Sequence, residues 1–318
     1  MKLSINSGLK KLIAKLLLIT LCCVLLDLMF GFAFRYLFQT QNDGKFYNIT
    51  YNLDKCNEEI MMLGSSRIQA NYNPAIFNRE LGLSCRNTGQ GGQGMIYFML
   101  QEKAILNRYQ PKVFILNIDP NALEGPLEYG ILSILRPYAR NHPDIEKELV
   151  GNSFYEKYKL YSSIYQYNSM MLYLLLHAEL FNKEKSVDLN NGWLPRIGND
   201  AAIAIPKKNE IKAEKHKNQI NKEKVKYLEQ IISDINSKNI PLLLCLSPNY
   251  LPMSTKTATF DYLKKTELKP QVYLLDFTSD TSFVNKRELF FNSNHMNKEG
   301  ANIFSKKVAD WMKSNMKM

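Results

Sequence analysis

Short apolar runs and longer amphipathic stretches alternate along most of the chain, and this alternation predicts an α/β fold. Five short segments, most of them rich in apolar residues, have the length of buried strands. They lie at about 58–63, 84–87, 113–119, 242–246 and 272–277. Helical periodicity separates them, and a final amphipathic helix is predicted from Lys298 to Lys313. Strands that alternate with helices imply right-handed crossovers and a parallel sheet, with functional sites at the carboxyl ends of the strands.

One apolar stretch near the N-terminus is too long for a strand and predicts a membrane anchor. Lysines precede the segment 16–34, whose only charge is Asp27. About 19 residues of this kind can cross a bilayer as a helix. Positive charge before the span places the N-terminus in the cytoplasm and the body outside it. We therefore predict a single-pass protein of the cell membrane, with its body in the periplasm or at the cell surface.

Three alternatives to the anchor are less well supported. A cleaved signal peptide is disfavoured because the apolar run is long and no small-x-small cleavage pattern follows it. Lipid attachment at Cys22 is disfavoured because Leu21 stands where a small residue is required. A buried core helix is disfavoured by the basic flank and the terminal position.

The pattern divides the chain into three parts. Residues 1–36 form the cytoplasmic N-terminus and the transmembrane anchor, and residues 37–57 form a juxtamembrane connection. Residues 58–318 form the α/β domain, which carries a helical insertion at about 125–205, where the strand–helix alternation stops. Apolar side chains in this insertion recur at helical spacing and predict one helix face; they are Phe154, Tyr158, Tyr161, Tyr165 and Leu172. Packing against the sheet is favoured for that face over a lid or a sugar-stacking wall.

Charge and cysteine content narrow the possible partners. The net charge of +11 is not accompanied by a zinc-finger spacing or another nucleic-acid motif, so anionic lipid or an anionic envelope polymer is the expected partner. Eight lysines interleaved with glutamates predict a solvated helix face. They are Lys207, Lys208, Lys212, Lys215, Lys217, Lys222, Lys224 and Lys226. The five cysteines have no CxxC and no framework spacing, so neither a disulfide scaffold nor a zinc site is indicated.

Two polar stretches carry the candidate chemistry. Ser66 follows the first strand, and His295 precedes the terminal helix on a loop, where an imidazole can exchange protons. In acyl transfer Ser66 would be the nucleophile and His295 the base. Oxyanion donors would be the Ser66 N–H, the Gly89 N–H and the Asn121 side chain. The alternative is that Ser66 only turns the chain and His295 only caps the helix.

The glycine-rich stretch 89–94 does not predict nucleotide binding. No Gly-Lys-Ser/Thr follows it, and the Gly-x-Gly-x-x-Gly spacing is absent. The proposed acyl chemistry needs no metal and no organic cofactor.

These stretches resemble the sequence blocks of the SGNH/GDSL hydrolase superfamily. Gly64–Ser66 resembles the first block, Gly-Asp-Ser, in the Gly-Ser-Ser form of the membrane-anchored DltD-type and alginate O-acetylation-type members. Asn87–Gly89 resembles the second block, and Asp119–Asn121 loosely resembles the third, Gly-x-Asn-Asp. Asn292–Ala301 resembles the fifth, Asp-x-x-His-Leu-Asn-x-x-Gly-Ala. The resemblance covers about residues 58–313 and implies a three-layer, flavodoxin-like parallel sheet.

The same resemblance implies a serine acyl hydrolase or O-acyltransferase acting on a cell-envelope glycan or glycolipid. This chain departs from the family at Asn292, where the family has the aspartate of the triad. Three outcomes follow: a Ser–His pair oriented by asparagine or backbone, a carboxylate recruited from elsewhere such as Glu288, or a degenerate site. A degenerate protein would bind a polysaccharide or a membrane-bound acyltransferase. A basic membrane-surface adaptor, based on the lysine run, is a third class of function.

Overall fold

The computed structural model describes residues 7–127, 129–177, 190–199, 219–251, 257–267 and 269–317. The chain forms two compact units. The first unit comprises residues 1–42 and 132–186, and the second comprises residues 43–131 and 187–318. Five lysines of the predicted basic face, at 207, 208, 212, 215 and 217, lie outside the described residues.

The second unit is built on a parallel sheet of five strands, which confirms the predicted fold class. The strands are β1 (Ile60–Leu63), β2 (Cys85–Asn87), β3 (Val113–Asn117), β4 (Leu242–Leu246) and β5 (Val272–Asp276). Their order is β2-β1-β3-β4-β5, which is the flavodoxin-like arrangement. Leu63 pairs with Leu116 and Asn117 pairs with Cys245, so the carboxyl ends of the three central strands form one edge.

The helices are short except at the two termini and before β4. They are α1 (Ser7–Gln39), α2 (Gly44–Asp54), α3 (Ser66–Asn71), α4 (Pro74–Leu81), α5 (Met95–Leu106), α6 (Pro143–Asn152), α7 (Phe154–Lys159), α8 (Met171–Leu176), α9 (Lys222–Ser237), α10 (Ala258–Thr266) and α11 (Lys298–Asn315). Within the described residues, 3₁₀ helices lie at Tyr129–Tyr138, Tyr165–Tyr167 and Arg287–Leu289. The terminal helix thus begins where the sequence predicts it.

Helices cover both faces of the sheet. Alternate residues of a strand point to opposite faces. Ile60, Ile115 and Leu243 belong to one apolar cluster with Phe304 and Val308 of α11. Helices α3 and α4 pack on α11, whereas α5 and α9 pack on each other and contact β1 and β4. The cluster contains no residue of α5 or α9, so these two helices lie on the other face and the unit has three layers.

The first unit contains the predicted anchor. Helix α1 is the described helix that is long and apolar enough to cross a membrane, with a mean hydropathy of 2.5 in its most apolar window. Most of its side chains are exposed, and only Gly31, Phe34 and Phe38 are buried. The ring of Phe34 lies 6.4 Å from that of Tyr167, and the ring of Phe38 lies 5.5 Å from that of Tyr138. Residues 132–177 therefore pack against the C-terminal part of α1.

The continuous aromatic helix predicted in the insertion is wrong. The segment is broken into α7, a 3₁₀ turn and α8, with Ser162 and Ser163 in the break. Four of the five predicted core-facing side chains are exposed rather than packed; they are Phe154, Tyr158, Tyr161 and Leu172. Tyr165 alone is half-buried, because its hydroxyl donates to the Glu156 carboxylate and its ring lies under the guanidinium of Arg136.

Candidate active site

Ser66 is presented by a tight turn at the carboxyl end of β1. Gly64 adopts φ +152°, and a Cβ on it would lie 2.5 Å from Ile68 Cγ1, so only glycine fits this turn. Ser66 is then the first residue of α3 and is partly exposed. The turn therefore places a serine hydroxyl at the edge where a parallel α/β sheet binds ligands.

His295 is brought to Ser66 from the other end of the chain. The two side chains form a hydrogen bond, with 2.8 Å between Ser66 Oγ and His295 Nε2. The next residue holds the loop in place, because the N–H of Met296 donates to Asn71 Oδ1 at the end of α3. Asn297 then caps α11 by accepting from the N–H of Gly300. Two side chains that are 229 residues apart in the sequence thus meet in the geometry that a nucleophile and a base require.

Asn292 fixes the tautomer of the imidazole. Its Oδ1 accepts from the backbone N–H groups of Asn294 (3.2 Å) and His295 (2.9 Å), so the atom facing them must be the oxygen. The same oxygen lies 3.0 Å from His295 Nδ1, which must therefore carry the proton. His295 Nε2 is then the unprotonated nitrogen and accepts a hydrogen bond from the Ser66 hydroxyl. This is the arrangement that a general base needs.

The surroundings of His295 make it a weak base. Burial, followed by the positive charges of Arg67 and Arg196, lowers the pKa of His295 to about 4. The carboxylate of Asp119 acts in the opposite direction, but it is paired with Arg67 through a contact of 2.9 Å. The imidazole is consequently neutral at physiological pH, and formation of the imidazolium is disfavoured.

Sequence reasoning missed the roles of Arg67, Asp119 and Arg196. Two of them could have been found, because Arg67 follows the candidate nucleophile directly and Asp119 follows β3, the neighbour of β1. The buried Arg67 also donates to the carbonyl of Ser247 after β4. Arg196 lies in the segment 190–199 between two undescribed stretches, and no motif marks it.

The predicted oxyanion donors differ in their placement. The Ser66 N–H belongs to the first turn of α3, where N–H groups lack an acceptor within the helix. The Gly89 N–H donates to Asn87 Oδ1 at 3.0 Å, so it would reach an oxyanion only by sharing that hydrogen bond. Asn121 is exposed on the loop after β3 and lines a cavity together with Ser65.

The structure does not show the Glu288 carboxylate as the partner that orients His295. Glu288 is exposed, and its backbone carbonyl accepts from the Asn297 side chain. His295 Nδ1 is bonded to Asn292 Oδ1. The asparagine is therefore the group that orients the imidazole.

A cavity of about 280 Å³ borders the serine turn. Its wall includes Ser65 and Asn121 at the carboxyl edge of the sheet, and apolar side chains of α5 and of the segment after β3. The apolar residues are Met95, Ile96, Phe98, Ile118, Leu127 and Ile131. Among the described residues, no group of three or more His, Cys, Asp or Glu side chains could hold a metal ion.

The fold and the site define a class of protein: a flavodoxin-like α/β protein with a Ser–His–Asn constellation at the carboxyl edge of its sheet. No protein-family model matches the chain. No curated protein matches it either. Among solved structures, the chain is similar to a protein of the G-D-S-L lipolytic family from Desulfitobacterium hafniense DCB-2, with 12% identity and a TM-score of 0.39. That similarity covers 80% of this chain and 99% of the other, and at this TM-score it carries no argument about function.

Proposed function

We propose that the protein is a membrane-anchored, extracytoplasmic, SGNH-like serine acyl hydrolase or O-acyltransferase that acts on a cell-envelope glycan or glycolipid. The observation that carries the proposal is the contact of 2.8 Å between Ser66 Oγ and His295 Nε2, with Nδ1 held by Asn292. Lysines at the start of α1, ahead of its apolar stretch, support a body outside the cytoplasm. The family resemblance supports the envelope substrate.

The geometry supports a two-step mechanism. Ser66 Oγ attacks the acyl carbonyl carbon while its proton passes to His295 Nε2. The tetrahedral intermediate collapses, and the leaving alcohol takes that proton from the imidazolium. Water or a sugar hydroxyl then loses its proton to His295 and attacks the acyl-enzyme, which releases the acid or the new ester and restores Ser66. The cavity beside Ser65 is apolar enough on one side to hold the acyl chain.

A second candidate function is a catalytically silent protein with the same fold that binds a polysaccharide or a membrane-bound acyltransferase. Asn292 favours it, because an asparagine lacks the charge that stabilises an imidazolium. The lowered pKa of His295 favours it too, since a base with a pKa of about 4 takes up the serine proton reluctantly.

Labelling with a serine-reactive fluorophosphonate tests the proposal. The full-length protein in detergent is the correct sample, because residues of α1 are part of the packing of the first unit. We expect wild type to be labelled and Ser66→Ala to lose the label while keeping its thermal transition. Ser237→Ala, at an exposed serine on α9, is the matched control and should be labelled like wild type. Equal labelling of Ser66→Ala and wild type would exclude Ser66 as the nucleophile.

The pH dependence of labelling should reveal the lowered pKa of His295. Because the pKa of His295 is lowered to about 4, the reactive neutral form persists at pH 5. The labelling rate at pH 5 should therefore be about 90% of its plateau, against about 3% for a histidine at its ordinary pKa of about 6.5. Rates measured from pH 3.5 to 8 would show the acid limb. A midpoint near 6.5 would contradict the buried, cation-flanked setting of this imidazole.

A further inference from the structure

We infer that residues 154–176 of the insertion are embedded in the outer leaflet of the membrane beside α1, and that their exposed aromatic and leucine side chains contact lipid. We call this set of side chains the lipid-facing surface. It consists of Phe154, Tyr155, Tyr158, Tyr161, Leu172, Leu175 and Leu176, which are 54–73% exposed. The inference rests on the proposed membrane anchor and goes beyond it, because an anchor alone requires only a spanning helix.

The carboxylate of Asp27 sets the depth of the insertion. Asp27 is the only charge in the apolar stretch of α1, and it accepts from Ser162 Oγ at 2.5 Å and from the N–H of Ser163 at 2.7 Å. It also accepts from the N–H of Ile164 at 3.3 Å. Asp27 is seven residues before Phe34, so the Ser162–Ser163 turn lies about 10 Å below the end of the apolar stretch. If α1 spans the bilayer, this turn is inside it.

The hydrogen bonds of the Ser162–Ser163 turn allow it to lie at that depth. Non-helical backbone at membrane depth requires that its polar groups be satisfied by protein, and Asp27 satisfies the N–H groups of Ser163 and Ile164. A carboxylate in an apolar span is costly unless it is hydrogen-bonded, and the turn supplies its donors. The backbones approach closely at Gly31, where a Cβ would lie 2.3 Å from Ser163 Cβ. Small residues at such a contact are typical of packing within membranes.

The contact with α1 continues toward the membrane surface. Beyond Asp27, Phe34 stacks on Tyr167, and at the end of the helix Gln41 Nε2 donates to the carbonyl of His177 after α8. Helix α8 itself packs on α1. Within the lipid-facing surface, Tyr161 is therefore next to the turn held by Asp27, and Leu176 is next to His177, the partner of Gln41.

The composition of this surface fits the boundary between acyl chains and headgroups. Tyrosine is enriched there because its ring is apolar and its hydroxyl is polar. Lys157 of α7 lies between the exposed aromatic residues and can extend its ammonium group to headgroup phosphates. In water, seven large apolar or aromatic side chains exposed within 23 residues would be an aggregation liability. Because these side chains lie beside the spanning helix α1, lipid is the partner expected to cover them.

Tryptophan quenching by brominated phosphatidylcholine tests the inference on the full-length protein in vesicles. Tyr161→Trp and Leu172→Trp place reporters in the lipid-facing surface, and Leu21→Trp places one in the span. Ile303→Trp, at an exposed position on α11 of the second unit, is the matched control. The emission of the native Trp193 and Trp311 is subtracted using wild type in the same vesicles.

We expect the span reporter and both surface reporters to lose emission in brominated vesicles, and the α11 reporter to keep it. Quenching of Leu21→Trp without quenching of either surface reporter would overturn the inference and leave the anchor intact. Absence of quenching at Leu21→Trp would overturn the anchor itself. Neither result bears on Ser66, whose labelling is measured separately, so failure of the enzyme proposal remains distinguishable.

Discussion

Asn292→Asp is expected to increase the rate of Ser66 acylation by up to about 10⁴-fold, because it supplies the missing charge without changing the geometry. The reverse change in a serine-protease triad lowers the rate by about that factor, which corresponds to about 5 kcal/mol of barrier. That loss includes a wrong imidazole tautomer, which Asn292 does not impose, so the factor is an upper limit for this protein. Here the side-chain oxygen already accepts from two backbone N–H groups and faces Nδ1. An aspartate can accept the same three hydrogen bonds, and its charge stabilises the imidazolium.

The same substitution should move the pH profile in a defined direction. A carboxylate next to Nδ1 favours the protonated imidazole, so the pKa of His295 rises from about 4. The acid limb of labelling should therefore shift to higher pH while the plateau rises. Both are measured as second-order labelling rates, and hydrolysis of a p-nitrophenyl ester gives the corresponding turnover.

Asn294→Asp is the matched control for this prediction. It introduces the same charge two residues away, where the backbone N–H already donates to Asn292. If the two variants accelerate labelling equally, the acceleration comes from added negative charge near the site and not from a hydrogen bond to His295 Nδ1. If wild type is unlabelled and Asn292→Asp is labelled, the silent candidate function describes the natural protein. If neither reacts, Ser66 and His295 do not form a catalytic pair.

Most of the sheet could be predicted from the sequence because its strands are buried on both faces. Short continuous apolar runs such as those in Val113–Asn117 and Leu242–Leu246 are typical of strands that are buried on both faces. Turn residues flank both runs. The placement of Ser66 at this edge was also predictable, since the carboxyl ends of parallel strands share one edge. Its contact with His295 depends on the whole fold and is visible in no local pattern.

The electrostatics of the site could not be predicted in the same way. The pKa of His295 depends on Arg67 and Arg196, which come from opposite parts of the sequence, and on burial that no window of residues reports. The prediction of one continuous helix in the insertion failed for a different reason. Its aromatic residues have helical spacing, but the acceptor for the Ser162–Ile164 turn is Asp27, 135 residues earlier, and that contact ends the helical path. The spacing of apolar residues predicts a helix only where the backbone hydrogen bonds of the segment are made within it.

Gly89→Ala is expected to destabilise the second unit by about 3 kcal/mol or more, because a side chain there collides with backbone that cannot move independently. The added Cβ would lie 2.4 Å from the backbone nitrogen of Gln69 and 2.9 Å from Asn87 Oδ1. Gln69 belongs to α3, the helix that carries Ser66, and Asn87 holds that helix through a bond to the carbonyl of Ile68. Relief of the clash must therefore displace Ser66 as well.

Gly91→Ala separates this collision from the general effect of replacing a glycine. Its Cβ would meet only the end of the Gln69 side chain, at 3.4 Å, and Ser66 Cβ at 3.6 Å, which are ordinary contacts. Neither glycine has φ in the left-handed region, so both substitutions reduce the entropy of the unfolded chain by a similar amount. The difference between the two variants in thermal unfolding then isolates the clash. For a unit of this size it should be about 6–12 °C in Tm, with fluorophosphonate labelling lost in parallel only in Gly89→Ala. Equal transitions would mean that α3 and the turn after β2 are not packed as closely as the structure has them, and the position of Ser66 relative to His295 would have to be revised with them.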